Sequence, residues 1–429
     1  MGPALLLLCL LLLGLGVPVA FALGLTTLLY FAFHPDFPLL LMPQKIEGGL
    51  ESFPLLAVPF FLLTGSLMNH GGATGRLVDL SQALVGHIEG GLAHVTVVSN
   101  MIMSGMSGSA TADITSTGAV MIPTMIRSGY PRGFAAAITA SASTIGPIVP
   151  PSLTLVILGS ISGVSIGRLF IGGLIPGLLM GLYLMATSYV IAKRRGFAAV
   201  NATFSPVAVV RTLGPALPAL LAPLIVVGGI LTGVFTPTEA GAVAAAYSLV
   251  IGAFVYRELT WAKLPALLRE VVVVNAAVMF ILGMFSLAGW IFAIEQLPQT
   301  LASGFLALTS NPLIFLLIMN VVLLLLGLIV EPLPLVIILG PILIPIAQGY
   351  HVDPVQFGII FTLNICLGLL HPPIGINMFI ASYIAKTSII DFTKEVWPFL
   401  VALVLVLLCV TYIPQLVLFL PDHLMGPSH

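Results

Sequence analysis

The chain has 429 residues, of which 59% are hydrophobic and 7% charged, with a mean hydropathy of +1.18. Soluble domains carry roughly 25% charged residues, and no soluble core covers this much apolar area, so the sequence describes an integral membrane protein. A formal charge of −1 leaves no basic face for nucleic acid, and Cys9, Cys366 and Cys409 lie far apart in apolar runs, without metal spacing or a disulfide framework.

Nine apolar stretches are long enough to cross a bilayer: 4–33, 53–70, 133–163, 169–192, 213–234, 237–256, 271–294, 355–385 and 397–420. The first has no basic leader and runs on from Ala4 to Phe33, which reads as a retained span rather than a cleaved signal. Two further regions, 90–127 and 312–349, are apolar but broken, at Ser104–Asp113 and at Val330–Pro334. Irregular backbone persists at membrane depth only when buried in protein or lining a watery cavity. Both regions therefore read as re-entrant helical hairpins, the alternative being pairs of ordinary crossings joined by an external loop.

Charge separates these readings. With the hairpins re-entrant, twelve of the fourteen Lys and Arg residues, from Arg76 to Lys394, share one side, and only Lys45 and Arg168 take the other. That split assigns the twelve to the cytoplasm, with the N-terminus inside and the C-terminus outside.

Displacing the sequence by 222 positions superposes Gly105 on Gly327, Pro123 on Pro345, Gly146 on Gly368, Pro150-Pro151 on Pro372-Pro373, Phe170 on Phe392 and Pro176 on Pro398. The chain thus holds two copies of one unit, about 53–195 and 271–420, in a single membrane domain. A basic loop and two spans, 196–270, join them. Each copy runs span, surface segment, hairpin, broken helix, closing span. In the first surface segment, Leu77, Leu80, Leu84 and Ile88 share a helical face that Arg76, Asp79, Gln82 and Glu89 avoid. An odd number of crossings separates equivalent points, so the fold class is an all-α membrane protein with an inverted repeat, two re-entrant hairpins and two broken helices. Secondary transporters commonly follow this plan.

Each break leaves backbone N–H and C=O groups without helical partners. Helix N-termini attract anions, C-terminal carbonyls attract cations, and a proline frees carbonyls in the preceding turn. Ligation by oxygen alone suits a hard cation such as Na⁺. One Na⁺ site is expected between Ser104–Ser109 and Gly146–Pro150, and a second between Gly327–Glu331 and Gly368–Pro372. The simpler reading of each Gly or Ser taken alone is helix packing. Ser109, Thr111, Asp113, Ser143, Thr144, Glu331, Asn364 and Asn377 are the polar groups near the breaks that remain for an anionic solute. Asp113 and Glu331 are equally candidates to tune cation affinity, and the amides to bond between helices. The sequence contains no catalytic constellation.

The runs SGSATAD, MIPTMIRSGY and ASASTIGPIVPPS in the first copy, and GPILIPIAQGY, DPVQFGII and NICLGLLHPPIGINMF in the second, resemble the large membrane subunit of TRAP (tripartite ATP-independent periplasmic) transporters. The turn TPTEAGA agrees. The resemblance implies an elevator-type transporter of the bacterial inner membrane, with a transport domain moving against a scaffold. It implies co-transport of two or more Na⁺ with carboxylates such as C4-dicarboxylates or sialic acids, and no organic cofactor. Its partners would be a small four-helix membrane subunit, a periplasmic binding protein and membrane lipid, with the small subunit on a separate chain. Carried over, the first Na⁺ site takes Ser104, Ser107, Gly108, Gly146 and Pro150, and the second takes Gly327, Gly368, His371 and Met378. The family usually has Thr where His371 stands and Asp where Glu331 stands. The missing hydroxyl leaves backbone carbonyls as the expected ligands there, and makes His371 a candidate for pH-sensitive transport. The alternatives are a stand-alone Na⁺/dicarboxylate carrier, then a passive channel; an intramembrane enzyme lacks a paired acid and base.

Overall fold

The computed structural model describes residues 2–328, 330–372 and 375–426, and all the regular secondary structure among them is helical. Pro373, which closes one of the repeat's landmark pairs, lies outside the described residues. At the start, α1 (Gly2–Gly14) and α2 (Val19–Phe33) replace the expected single span over 4–33. Gly16 takes φ +84° and Pro18 follows it, so the first helix cannot continue. The Gly2 N–H and the Tyr30 hydroxyl then donate to the same Glu295 carboxylate, each at 3.0 Å. The pair turns back to the end it started from, and with 13 and 15 residues each arm falls short of the ~20 residues of a spanning helix. Gly2 accordingly sits at the face opposite the basic loops, which corrects the expected inside position of the N-terminus. No Lys or Arg precedes Lys45, so the charge split is unaffected.

α3 (Leu41–Leu50) lies against a later long helix, and a 3₁₀ turn at Phe53–Leu56 opens α4 (Ala57–His70). α5 (Ala73–Val85) is the expected amphipathic segment, with Leu77 and Leu80 buried and Asp79 exposed, ending before Glu89. α6 (Gly91–Ser107) and α7 (Ala110–Arg127) fold back on each other, with the Thr96 hydroxyl 3.6 Å from Met125 Sδ. The region 133–163 is two short helices, α8 (Arg132–Ser143) and α9 (Leu153–Ser162), followed by the long α10 (Ile166–Arg195).

α11 (Pro206–Leu231) and α12 (Pro237–Val250), the latter extended by a π turn, connect the copies. α13 (Leu264–Ile294) then runs antiparallel to α4: Leu267 and Val271 at its start pack with Leu67 at the end of α4, and His70 meets Glu270 at 4.0 Å. The two copies therefore open in opposite directions. α14 (Leu297–Leu308) meets α15 (Pro312–Gly327) at 117°, so it lies across rather than along it. α16 (Pro332–Gly349) returns beside α15, with the Phe315 and Tyr350 rings stacked 4.2 Å apart. α17 (Pro354–Gly368) and α18 (Ile376–Ala385) form the second broken pair, before α19 (Ile389–Tyr412) and α20 (Gln415–Met425). Among the described residues seven helical segments are long and apolar enough to cross alone, α16 included.

The broken pairs exchange partners. α8 packs on α6 and α7, whereas α9 packs on α16; α17 packs on α15 and α16, whereas α18 packs on α7 and α8. Each hairpin is thus completed by half a helix from the other copy. Phe170 and Phe392, a landmark pair of the repeat, are both buried. Leu7, Leu11, Phe21 and Leu224 are more than half exposed, as lipid-facing positions require.

The start of α9 is held by Ser152, whose hydroxyl donates to Pro147 O at 2.5 Å and accepts from Leu155 N at 3.2 Å. Ser152→Ala removes an N-cap and the tie across the break. It is expected to cost about 1–2 kcal/mol, read as a lower melting temperature of the purified chain.

Candidate ion and substrate site

At the first hairpin tip α6 stops at Ser107 because Gly108 turns left-handed, φ +60°. A Cβ on Gly108 would lie 2.5 Å from Pro151 O, so glycine alone lets the tip meet the break between α8 and α9. Leu153 N donates to Gly108 O across that contact at 3.3 Å. The Asp113 carboxylate is fully buried just behind the tip. Ser107 Oγ donates to it, and Ser104 Oγ does so at 3.2 Å. Gly146 approaches so closely that a Cβ there would stand 2.6 Å from Asp113 Oδ2. The Pro150 carbonyl in turn faces Gly105.

Ser104, Ser107, Gly108, Gly146 and Pro150 are thus brought together at one junction, and Asp113, grouped with the solute contacts from sequence, belongs among them. Asn377 of α18 joins the same junction, donating to Ser143 Oγ at 2.8 Å and to Ala110 O at 3.4 Å. Thr144 is buried and spends its hydroxyl on Ser141 O at 2.7 Å.

In the second copy Gly327 and Gly368 cross in direct backbone contact. A Cβ on Gly368 would fall 2.1 Å from Gly327 O. A crevice of about 10 Å³ opens beside them, lined by Gly327, Glu331, Gly368, Leu369 and Gly375 among others. Met378 is buried and donates its N–H to Leu369 O at 3.2 Å. His371 is half-buried; its Nδ1 lies 2.6 Å from Pro372 O and its ring stands edge-on to Trp397. Asn364 is elsewhere: it bonds Asn320 Oδ1 at 2.8 Å, lower on the seam between α15 and α17.

The two tips share a cleft. Ser109 and Thr111 of the first, Glu331 of the second, and Thr154 of α9 line a space of about 50 Å³. From Ser109 and Thr111 a far larger cleft, about 700 Å³, extends between α7 on one wall and α4 and α13 on the other, reaching His70 and Glu270. Ser66, Asn69, Thr115 and Ser116 line it and were missed from sequence, although Thr111 and Thr115 stand one helical turn apart in a run of hydroxylated residues. Neither cleft is lined by Lys or Arg. Among the described residues no group of three or more His, Cys, Asp and Glu could hold a metal. Carbonyls, hydroxyls and one carboxylate are oxygen donors of the kind that suit a hard cation.

Residues 6–416 match the family described as "Tripartite ATP-independent periplasmic transporter, DctM component". The chain is 42% identical over 411 residues to the sialic acid TRAP transporter large permease protein SiaM of Vibrio cholerae, covering 96% of each. It is 40% identical to the C4-dicarboxylate TRAP transporter large permease protein DctM of Pseudomonas aeruginosa, covering 94% of this chain and 93% of that one. The crystal structure of the YdaH transporter of Alcanivorax borkumensis superposes with a TM-score of 0.63 over 86% of each chain at 15% identity, a likeness of fold alone.

Proposed function

Because the chain belongs to the DctM family, as a large permease subunit of TRAP transporters and not an enzyme, we propose that it imports small organic anions together with Na⁺. What supports this reading most is the pairing of an anion-compatible tip with a buried acid. Ser109 stands at the N-cap position of α7 without its side chain capping a backbone N–H, so the helix's first N–H groups and dipole are left to favour a carboxylate, and its hydroxyl lies 3.0 Å from that of Thr111. Asp113, one turn further, repels that same carboxylate. A Na⁺ held by Asp113, Ser104, Ser107 and the carbonyls of the 144–152 break offsets the repulsion. Anion binding then depends on the cation, which is symport.

The second Na⁺ takes the carbonyls about Gly327 and Gly368. The two hairpins are re-entrant and travel with α8, α9, α17 and α18 as an elevator against α4, α11, α12 and α13. The cleft reaching His70 and Glu270, on the basic face, is the release route to the cytoplasm across a bacterial inner membrane. A periplasmic binding protein delivers the solute, and a small four-helix subunit and lipid cover the outer wall of the scaffold.

The test is uptake into proteoliposomes holding both partners, with an inward Na⁺ gradient. Replacing Na⁺ by choline is expected to reduce uptake to the level of empty vesicles; unchanged uptake overturns the coupling. Uptake that persists without the binding protein marks a stand-alone carrier instead.

A further inference from the structure

The carbonyls at the Gly327–Gly368 crossing have no rotamers to adjust, so their separation is set by how α15 and α17 lie together. The one acid lining that crevice, Glu331, is exposed. Whatever holds the seam therefore holds the ligand geometry. Asn320 precedes Gly327 by two turns and Asn364 precedes Gly368 by one, which puts all four on the facing sides of the two helices.

There Asn364 Nδ2 donates to Asn320 Oδ1 at 2.8 Å, and Asn320 Nδ2 donates to Thr411 Oγ1 at 3.0 Å. The Thr411 hydroxyl itself donates to Leu407 O at 2.7 Å. This ties hairpin arm, broken helix and closing span into one buried chain, each member no more than 3% exposed. Asn364 Oδ1 is buried without a hydrogen-bond partner. An apolar pair would join the helices without leaving that oxygen uncompensated.

We propose that Asn320 and Asn364 are positioning residues for the second co-transported cation, holding the Gly327 and Gly368 carbonyls at ligating distance. The proposal rests on the Na⁺-symport reading above. The test is thermal unfolding of the purified full-length chain against Na⁺ concentration, with choline keeping ionic strength constant, together with the Na⁺ dependence of uptake. Asn364→Leu is expected to raise the half-saturating Na⁺ concentration about tenfold or more, the scale on which outer-shell partners tune ion sites. It should also lower the Hill coefficient of uptake while leaving the KM for solute at saturating Na⁺ unchanged. Thr411→Val, which removes only the last link, should move the same quantities less and serves if Asn364→Leu does not fold. A lower melting temperature with an unchanged Na⁺ half-saturation in both variants would show mere helix glue and overturn the proposal. Wild-type protein whose melting and uptake both ignore Na⁺ overturns the symport reading itself, a separate and recognisable result.

Discussion

Alanine at Gly368 is expected to abolish uptake. Its Cβ would lie 2.1 Å from Gly327 O, 2.3 Å from that carbonyl carbon and 2.7 Å from Gly327 Cα, all backbone atoms that no side-chain rotation can clear. Helices α15 and α17 must separate, an overpacking cost of about 1–3 kcal/mol or more, and the carbonyls proposed to ligate the cation separate with them. Gly214→Ala in α11 is the control, since nothing lies within 4 Å of the added atom and alanine favours the helix by about 1 kcal/mol. Uptake normalised to the amount of folded protein should vanish for Gly368→Ala and stay at wild-type level for Gly214→Ala. Full activity in the first would mean that the crossing is not part of the transport path.

The second large effect is expected of Asp113→Asn. The amide keeps the size of the carboxylate and an oxygen for the Ser107 hydroxyl, while Ser104 Oγ, which also donates to Asn100 O at 2.6 Å, can accept from the new NH₂, so the chain should fold and melt no lower than wild type in the absence of Na⁺. A buried charge is removed, which favours the folded state. The apparent Na⁺ affinity should fall on the order of 100-fold, as expected where ligand charge count sets cation affinity. Solute uptake should fall with it at physiological Na⁺. An unaltered Na⁺ titration would remove Asp113 from the ion site and leave it a structural acid.

Much of this architecture is legible in the linear chain because glycine and proline act locally. The 222-residue displacement matched Gly146 with Gly368, and both prove to be places where a Cβ would strike a neighbour from the facing hairpin. The hairpin breaks at Gly108 and near Glu331 follow from the same local punctuation. Hydropathy misled at 4–33, where it counts apolar side chains but not the turn at Gly16 and Pro18 that reverses the chain. It was equally blind to Ser66 and Asn69, ordinary polar residues of α4 that acquire a role only when α7 is laid opposite them. Asp113 was recognised as unusual, yet its partners Ser104 and Ser107 stand on the far arm of a hairpin, and only the fold-back brings them within reach. Asn364 was legible as a buried amide but its partner Asn320 was not, for two amides 44 residues apart give no local signal.

The exchange of half-helices has a consequence for how the chain is made. The hairpin of α6 and α7 leaves the ribosome more than two hundred residues before α18, the segment that packs between α7 and α8. Until that late piece arrives, the Ala110 carbonyl and the Ser143 hydroxyl lack the Asn377 amide that bridges them. The early half therefore waits in the bilayer without that bridge until the late one is made.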